Sequence, residues 1–183
     1  MRLSLYEFDA GVETIGGNRV VFDLAAEQAF FGAATVDGPA LVWQLDDDGT
    51  EAERALLSQL VNLESFASWV ARCDRVHFPR SGIAYTHTHP GPGIRYLLYG
   101  ELEIRTESRS TFYGPGRAWF ESGPEPVYAA ASAHTETAFV RVLLLPAEWA
   151  GKRTIRYVDP ADEEKPKTQR ATVYFEHPIE LAS

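Results

Sequence analysis

Between Ala71 and Pro146 the chain never runs far without a turn. Phe78-Pro79-Arg80-Ser81-Gly82, Pro90-Gly91-Pro92-Gly93, Tyr99-Gly100, Tyr113-Gly114-Pro115-Gly116 and Ser122-Gly123-Pro124 interrupt it. The intervals are roughly eight to twelve residues, the rhythm of short antiparallel strands in a barrel or sandwich. Leu102 and Ile104 alternate with Glu101, Glu103 and Arg105, which predicts a strand with one wet face. Phe139–Leu145 is apolar except for Arg141 and reads as a buried strand.

The flanking segments differ in character, and three stretches follow: 1–70, 71–148 and 149–183. The first predicts strands at Arg19–Leu24 and Ala40–Leu45, then an acidic turn at Asp46-Asp47-Asp48-Gly49. Thr50 precedes Glu53 by three residues, as in a capping box. Ala52, Leu56, Leu60 and Leu63 follow at roughly helical spacing, so a short helix is expected there. The last stretch predicts strands at Thr154–Val158 and Ala171–Phe175, joined by the polar, Pro-containing loop Asp159–Arg170. It is expected to complete the same domain or to form a dimer contact.

Chemistry concentrates in the segment GIAYTHTHPGPGIRYLLYGELEI. His87 and His89 flank one residue, and on a strand residues two apart share a face. Both imidazoles can therefore converge on one point, as metal ligands must. By the same parity Tyr85 is expected on the inward face beside His87. Arg95 lies two residues beyond Gly93 and brings five donors and a permanent charge. Tyr85 and Arg95 are the candidate substrate contacts, and His87 and His89 the candidate metal ligands.

This segment resembles the first motif of the cupin superfamily: a Gly, a few residues, His-x-His, three or four residues, a Glu, six residues and a Gly. Gly82, His87, His89 and Gly100 match, and Gly93 stands at the Glu position. The stretch GPGRAWFESGPEPVYAAASAH looks like the second motif, with Val127 at the His position and Ser132 where an Asn is frequent. The resemblance covers about 75 residues, Ala71 to Pro146. It implies an all-β double-stranded β-helix, or jelly-roll barrel, with the N-terminal extension and its short helix attached. It also implies a homodimer and a barrel that holds a small molecule. A complete cupin site offers three His and one carboxylate to a divalent metal such as iron, manganese, nickel or zinc. Here two of the four remain. Catalytic zinc keeps three protein ligands and structural zinc four, so a third ligand would have to come from Tyr85, His134, Glu121 or His77.

Composition narrows the classes. A net charge of −9 argues against a nucleic-acid partner, because a phosphate backbone seeks a basic surface. No apolar run approaches the roughly 20 residues that span a bilayer, and Met1–Ala10 lacks a secretory pattern. Cys73 is the single cysteine, so no internal disulfide forms and a cytoplasmic location is expected. GPGIRYLLYG lacks the Lys-Ser/Thr ending of a phosphate loop, and Ser110 and Thr111 have no partners for a hydrolase triad. Three readings stay open. One is a divalent-metal-dependent enzyme on a small, anionic organic substrate using His87 and His89. The second is a non-enzymatic small-anion binding or sensing module with a degenerate metal site. The third is a catalytically silent dimeric barrel.

Overall fold

A computed structural model describes residues 1–47, 52–64 and 68–181. Every strand pairing in it is antiparallel, and the strands form three five-stranded sheets. The outer sheet is N-terminal. It contains β1 (Arg2–Phe8), β2 (Val12–Asp23), β3 (Gln28–Val36), β4 (Ala40–Asp46) and β5 (Leu57–Leu60), in the order β3-β2-β4-β1-β5.

Eight further strands build the barrel. They are β6 (Trp69–Phe78), β7 (Ile83–Thr88), β8 (Gly93–Tyr99), β9 (Leu102–Arg105), β10 (Ser110–Tyr113), β11 (Ala118–Glu121), β12 (Val127–Ala131) and β13 (Thr137–Pro146). The middle sheet has the order β11-β8-β13-β6 and the far sheet β10-β9-β12-β7. Two Greek keys laid across two facing sheets in this order make a jelly roll. The all-β jelly-roll barrel implied by the resemblance is the fold observed. Two C-terminal strands extend it: β14 (Arg156–Tyr157) on β7, and β15 (Arg170–Pro178) on β6.

The middle sheet is covered on both faces. Towards the outer sheet it turns Ala71, Cys73, Ile94, Val140, Val142 and Leu144, which pack on Leu3, Leu5, Phe22, Leu41 and Trp43. The Trp43 indole N–H donates to the Ile94 carbonyl at 3.1 Å and ties the layers together. Towards the far sheet it turns Val76, Phe78, Leu97, Trp119 and Phe139, which meet Ala84, Leu102, Ile104, Ala129 and Ala131. Double coverage explains why Phe139–Leu145 carries no alternation: a strand with two dry faces reads as a continuous apolar run.

The helix expected after Thr50 is not formed. Thr50 lies outside the described residues, and Leu57–Leu60 instead joins the edge of β1, with Leu57 opposite Leu5 and Leu60 opposite Arg2. The leucines at helical spacing were never one buried stripe. Leu60 is 63% exposed and Leu56 43%, whereas Leu63 is buried. An open sheet edge supplies unpaired backbone groups, and pairing there overrides a weak local preference.

Gly93 shows why the carboxylate of the first motif is missing. Gly93 sits opposite Leu143 in β13, and an added Cβ would collide with the Val142 carbonyl and lie 2.8 Å from Leu143 Cδ2. No side chain fits while β8 and β13 keep this spacing. Gly93→Ala is expected to lose about 1–3 kcal/mol of stability by overpacking. At Gly114 an added Cβ meets nothing within 4 Å, so Gly114→Ala should stay near the parent. Urea denaturation of the two variants side by side checks this.

Candidate functional site

The barrel interior is layered. One end is apolar and is lined by Val76, Phe78, Ala84, Ile104, Trp119, Ala129 and Phe139. Next to it lies a charged layer in which Arg95, Arg141 and Asp74 are all buried. These residues reach the interior from three adjacent strands, β8, β13 and β6. Asp74 is fully buried and bridges two arginines. Arg141 Nε donates to Oδ1 at 2.7 Å, and Arg72 Nε donates to Oδ2 at 2.8 Å. Arg141 Nη2 adds a longer bond to Oδ2 at 3.3 Å. Arg72 continues outward to Glu176 on β15 at 3.2 Å.

A second pair sits alongside. Arg95 Nη2 lies 2.6 Å from Glu121 Oε2, and Arg95 Nη1 donates to the Gly93 carbonyl at 2.7 Å. The ion pair is close without being aligned as a hydrogen bond, so Arg95 Nε and Glu121 Oε2 keep unused hydrogen-bonding capacity. Glu121 Oε1 accepts from the Trp119 indole N–H at 2.8 Å. Burial pushes the Arg95 guanidinium down to about 10, a fall that Glu121 opposes, and it stays charged at neutral pH.

His87 and His89 converge as their spacing predicts. Both are buried, with ring centroids 4.9 Å apart and the rings nearly perpendicular. Each Nδ1 faces a backbone carbonyl, Tyr85 O at 2.6 Å for His87 and Thr154 O at 3.1 Å for His89. An Nδ1–H donated to a carbonyl leaves Nε2 as the lone-pair nitrogen. The contact of the Arg141 Nη1 donor with His89 Nε2 at 3.4 Å agrees with that tautomer. Both imidazoles are held neutral. Burial lowers the His89 pKa well below 6.5, and Arg141, Arg95 and His87 lower it further. His87 is lowered too, chiefly by burial, with Glu121 and the Tyr85 carbonyl opposing.

Parity fails at Tyr85 for a definite reason. β12 pairs with β7 through Val127–His87 and then Ala129–Ala84, so β7 carries one extra residue between Ala84 and His87. Such a bulge reverses which residues face inward. Ala84 and His87 line the cavity, whereas the Tyr85 ring packs near Tyr157 and lies under the Lys165 ammonium at 4.7 Å. Arg95 faces the barrel interior, but it stands behind Glu121 rather than at the cavity wall. His77 pairs with Glu136 at 3.3 Å in an exposed position, and His134 is exposed. Neither lines the cavity.

The enclosed space is about 200 Å³. Pockets for drug-sized ligands measure about 300–1,000 Å³, so this one suits a smaller molecule. Its polar wall is made by His87, His89, Glu121 and Arg141, with Arg153, Tyr157, Lys167 and Gln169 from the C-terminal stretch. Sequence reasoning missed Arg141, Tyr157 and Gln169. Arg141 did leave a signal: one arginine in an otherwise apolar buried strand needs a buried counter-charge, and Asp74 in the neighbouring, largely buried β6 is the counterpart. Tyr157 and Gln169 left none, because one lies on the short C-terminal strand β14 and the other in the polar loop that follows, both far in sequence from the histidines.

Divalent-metal ligation fits these residues poorly. Among the described residues no group of three or more His, Cys, Asp or Glu side chains is placed to hold an ion. Glu121 Oε2 lies 3.7 Å from His89 Nε2 and is already paired with Arg95. Val127 stands opposite His87 in the ladder, where no donor atom is available.

The neutrality of the histidines has a measurable consequence. A buried His with a folded-state pKa below its unfolded value of about 6.5 binds fewer protons when folded. Its stabilisation is complete above that value and is lost as pH falls from 6.5 towards the lowered pKa. Stability to urea is expected to drop between pH 7 and pH 5, before ordinary carboxylates protonate. His89→Gln should flatten that slope, which parallel denaturation curves at several pH values would show.

Comparison with known proteins gives structural likeness only. No family model matches the sequence, and no curated protein matches it. Among solved structures the chain is similar to the polyketide cyclase RemF of Streptomyces resistomycificus, with 21% identity and a TM-score of 0.40. That match covers 48% of this chain and 61% of the cyclase. The DMSP lyase DddQ of Ruegeria pomeroyi DSS-3 gives 20% identity and a TM-score of 0.41, covering 55% of this chain and 46% of the lyase. An RmlC-like cupin of Shewanella frigidimarina NCIMB 400 gives 12% and 0.39, covering 49% of this chain and 86% of that one. The chain spans about three fifths of the cyclase, and 60% of the EutQ protein of Clostridium difficile.

Proposed function

We propose that this cupin-fold chain binds a small organic acid inside its barrel, with Arg141 receiving the carboxylate. The observation that carries the reading is the state of Arg141. Asp74 holds the guanidinium rigidly through Nε and Nη2, and Nη1 has only a long contact to the lone pair of His89. A guanidinium has five N–H donors, so donors remain for a ligand at a cavity wall. Arg141 is preorganised, nearly dry and fixed in its fork geometry, which favours bidentate carboxylate recognition. His87 and His89 are neutral and add no like charge beside the carboxylate, and their Nε2 atoms, left as acceptors, would serve a donor group on the ligand and not the carboxylate itself. Phe78, Trp119, Ile104 and Phe139 would receive an apolar body. Arg95 acts through Glu121 in this reading, setting its position and charge rather than touching the acid.

One observation favours the metal-dependent alternative. Each histidine is anchored through Nδ1 to a carbonyl, the orientation typical of metal-bound imidazoles. A bound ion would supply Lewis acidity, and His87 and His89 would be its protein ligands, with no third donor assigned.

Two measurements separate these readings. Titration calorimetry with benzoate and pentanoate should show binding, while benzamide and pentanol should not bind. Arg141→Lys keeps the charge beside Asp74 but loses the fork, and it should weaken acid binding about tenfold or more while the fold survives. Elemental mass spectrometry on untagged protein should find no stoichiometric divalent metal. Near-stoichiometric metal that disappears in a His87→Ala/His89→Ala protein would overturn the proposal in favour of the metalloenzyme. Absence of acid binding would overturn it outright.

A further inference from the structure

The cavity is roofed by the connection from Thr154 to Gln169, and this strap carries polar groups that the acid-binding reading leaves without a task. It is tied down at few points. β14 pairs with β7 over two residues, Arg156 with Thr88 and Tyr157 with His87. Val158 N–H donates to Thr86 O at 3.0 Å, and Thr168 Oγ1 accepts from Ile83 N–H at 3.0 Å. The Thr154 carbonyl faces His89 Nδ1. These ties place Tyr157 and Gln169 on the cavity wall.

Both residues present buried atoms with unused hydrogen-bonding capacity. The Tyr157 hydroxyl and Gln169 Oε1 are shielded from solvent and make no aligned hydrogen bond within the chain, and an arginine beside the Tyr157 oxygen could only donate to it, leaving the hydroxyl's own proton unused. Cations do crowd the Tyr157 ring: Lys167 Nζ lies 4.3 Å and Arg153 Cζ 5.0 Å from its centroid. Arg153 is close enough to act on the phenol but is not aligned on its hydroxyl, and it pairs with Glu163 at 3.0 Å. Lys167 donates instead to the carbonyls of Glu163 and Lys165 at 2.9 Å each. A buried donor or acceptor left unpaired is costly. Two of them on the wall of one small cavity, both from the strap, mark a place where a bound molecule supplies the missing partners.

Resting on the acid-binding reading, we infer that the ligand is a small hydroxy acid. Its carboxylate sits on Arg141, and a separate hydroxyl is read from the strap, donating to Gln169 Oε1 and accepting from the Tyr157 hydroxyl. The apolar wall between would fill against the ligand body. A plain acid leaves both strap groups unpaired and binds less well.

Matched probes test this by calorimetry: 4-hydroxybenzoate against benzoate, and 5-hydroxypentanoate against pentanoate. In at least one pair the hydroxylated acid should bind about tenfold tighter, the range that one or two net hydrogen bonds supply. Tyr157→Phe and Gln169→Leu should each bring that pair within about threefold, by removing the group that the ligand hydroxyl would pair with. Ligand-free Tyr157→Phe should stay within about fivefold of the parent's unfolding equilibrium constant in urea, which is about 1 kcal/mol, since its hydroxyl makes no aligned hydrogen bond and has only the nearby Arg153 guanidinium, so a loss of selectivity cannot be laid to misfolding. Equal affinities within both pairs, with acids still binding, would overturn the hydroxy-acid assignment and leave the acid site standing. Selectivity that survives in both variants would also overturn it. If none of the four acids binds, both ideas fall together.

Discussion

Asp74 is the group on which the rest of the barrel depends. It is fully buried in the middle sheet and bonds both Arg72 and Arg141. Those guanidiniums occupy inward positions of β6 and β13, the two strands with the longest shared ladder in the barrel. Removing one partner of a buried ion pair typically costs about 3–5 kcal/mol, because the other charge is stranded. Without Asp74 two stranded cations would face each other in a layer that water barely reaches. The carboxylate therefore lets the sheet be dry on both faces and still hold charge at its centre. It also fixes Arg141 in one orientation at the cavity wall.

Around that layer the barrel divides its interior by polarity. Aromatic and aliphatic side chains close one end, the arginine–carboxylate pairs close the other, and the histidines lie between them and the strap. Charge is matched inside the layer: Arg95 faces Glu121, Arg141 faces Asp74, and Arg72 shares Asp74 and reaches Glu176. On the acid-binding reading, attraction would therefore come from directed donors rather than from net charge, in a chain that is acidic as a whole. Burial and the neighbouring arginines keep both imidazoles uncharged, so their Nε2 atoms serve as acceptors.

The departures from the complete cupin motif are coupled in space. Gly93 leaves no room for a carboxylate because β13 passes against it, and Val127 faces His87 across the ladder. Glu121 supplies a carboxylate near His89, yet Arg95 already neutralises it. Two of the motif's four ligand positions thus carry no donor, and two inward arginines, each paired with a carboxylate, stand beside the remaining histidines. Electrostatics of this kind follows from which residues share one face, which a linear motif reports only partly.

Much of the architecture was legible in the chain. The spacing of Gly-Pro turns set an all-β barrel, the His-x-His pair on one strand put two imidazoles at one point, and the apolar run around Arg141 announced a strand buried on both faces. These are local rules of backbone geometry and side-chain period, and they need no knowledge of the partner strand. What lay beyond them depended on pairing. The Leu57–Leu60 segment became a strand because β1 offered a free edge, and a bulge in β7 turned Tyr85 away while keeping Ala84 and His87 inside. Arg95 found Glu121, and Arg141 found Asp74 from 67 residues away. Tyr157 and Gln169 reached the cavity because β14 and β15 return to the barrel's edges. Sequence period determines which way a side chain points; only the folded ladder decides what stands opposite it, and the chemistry of this cavity lies in those oppositions.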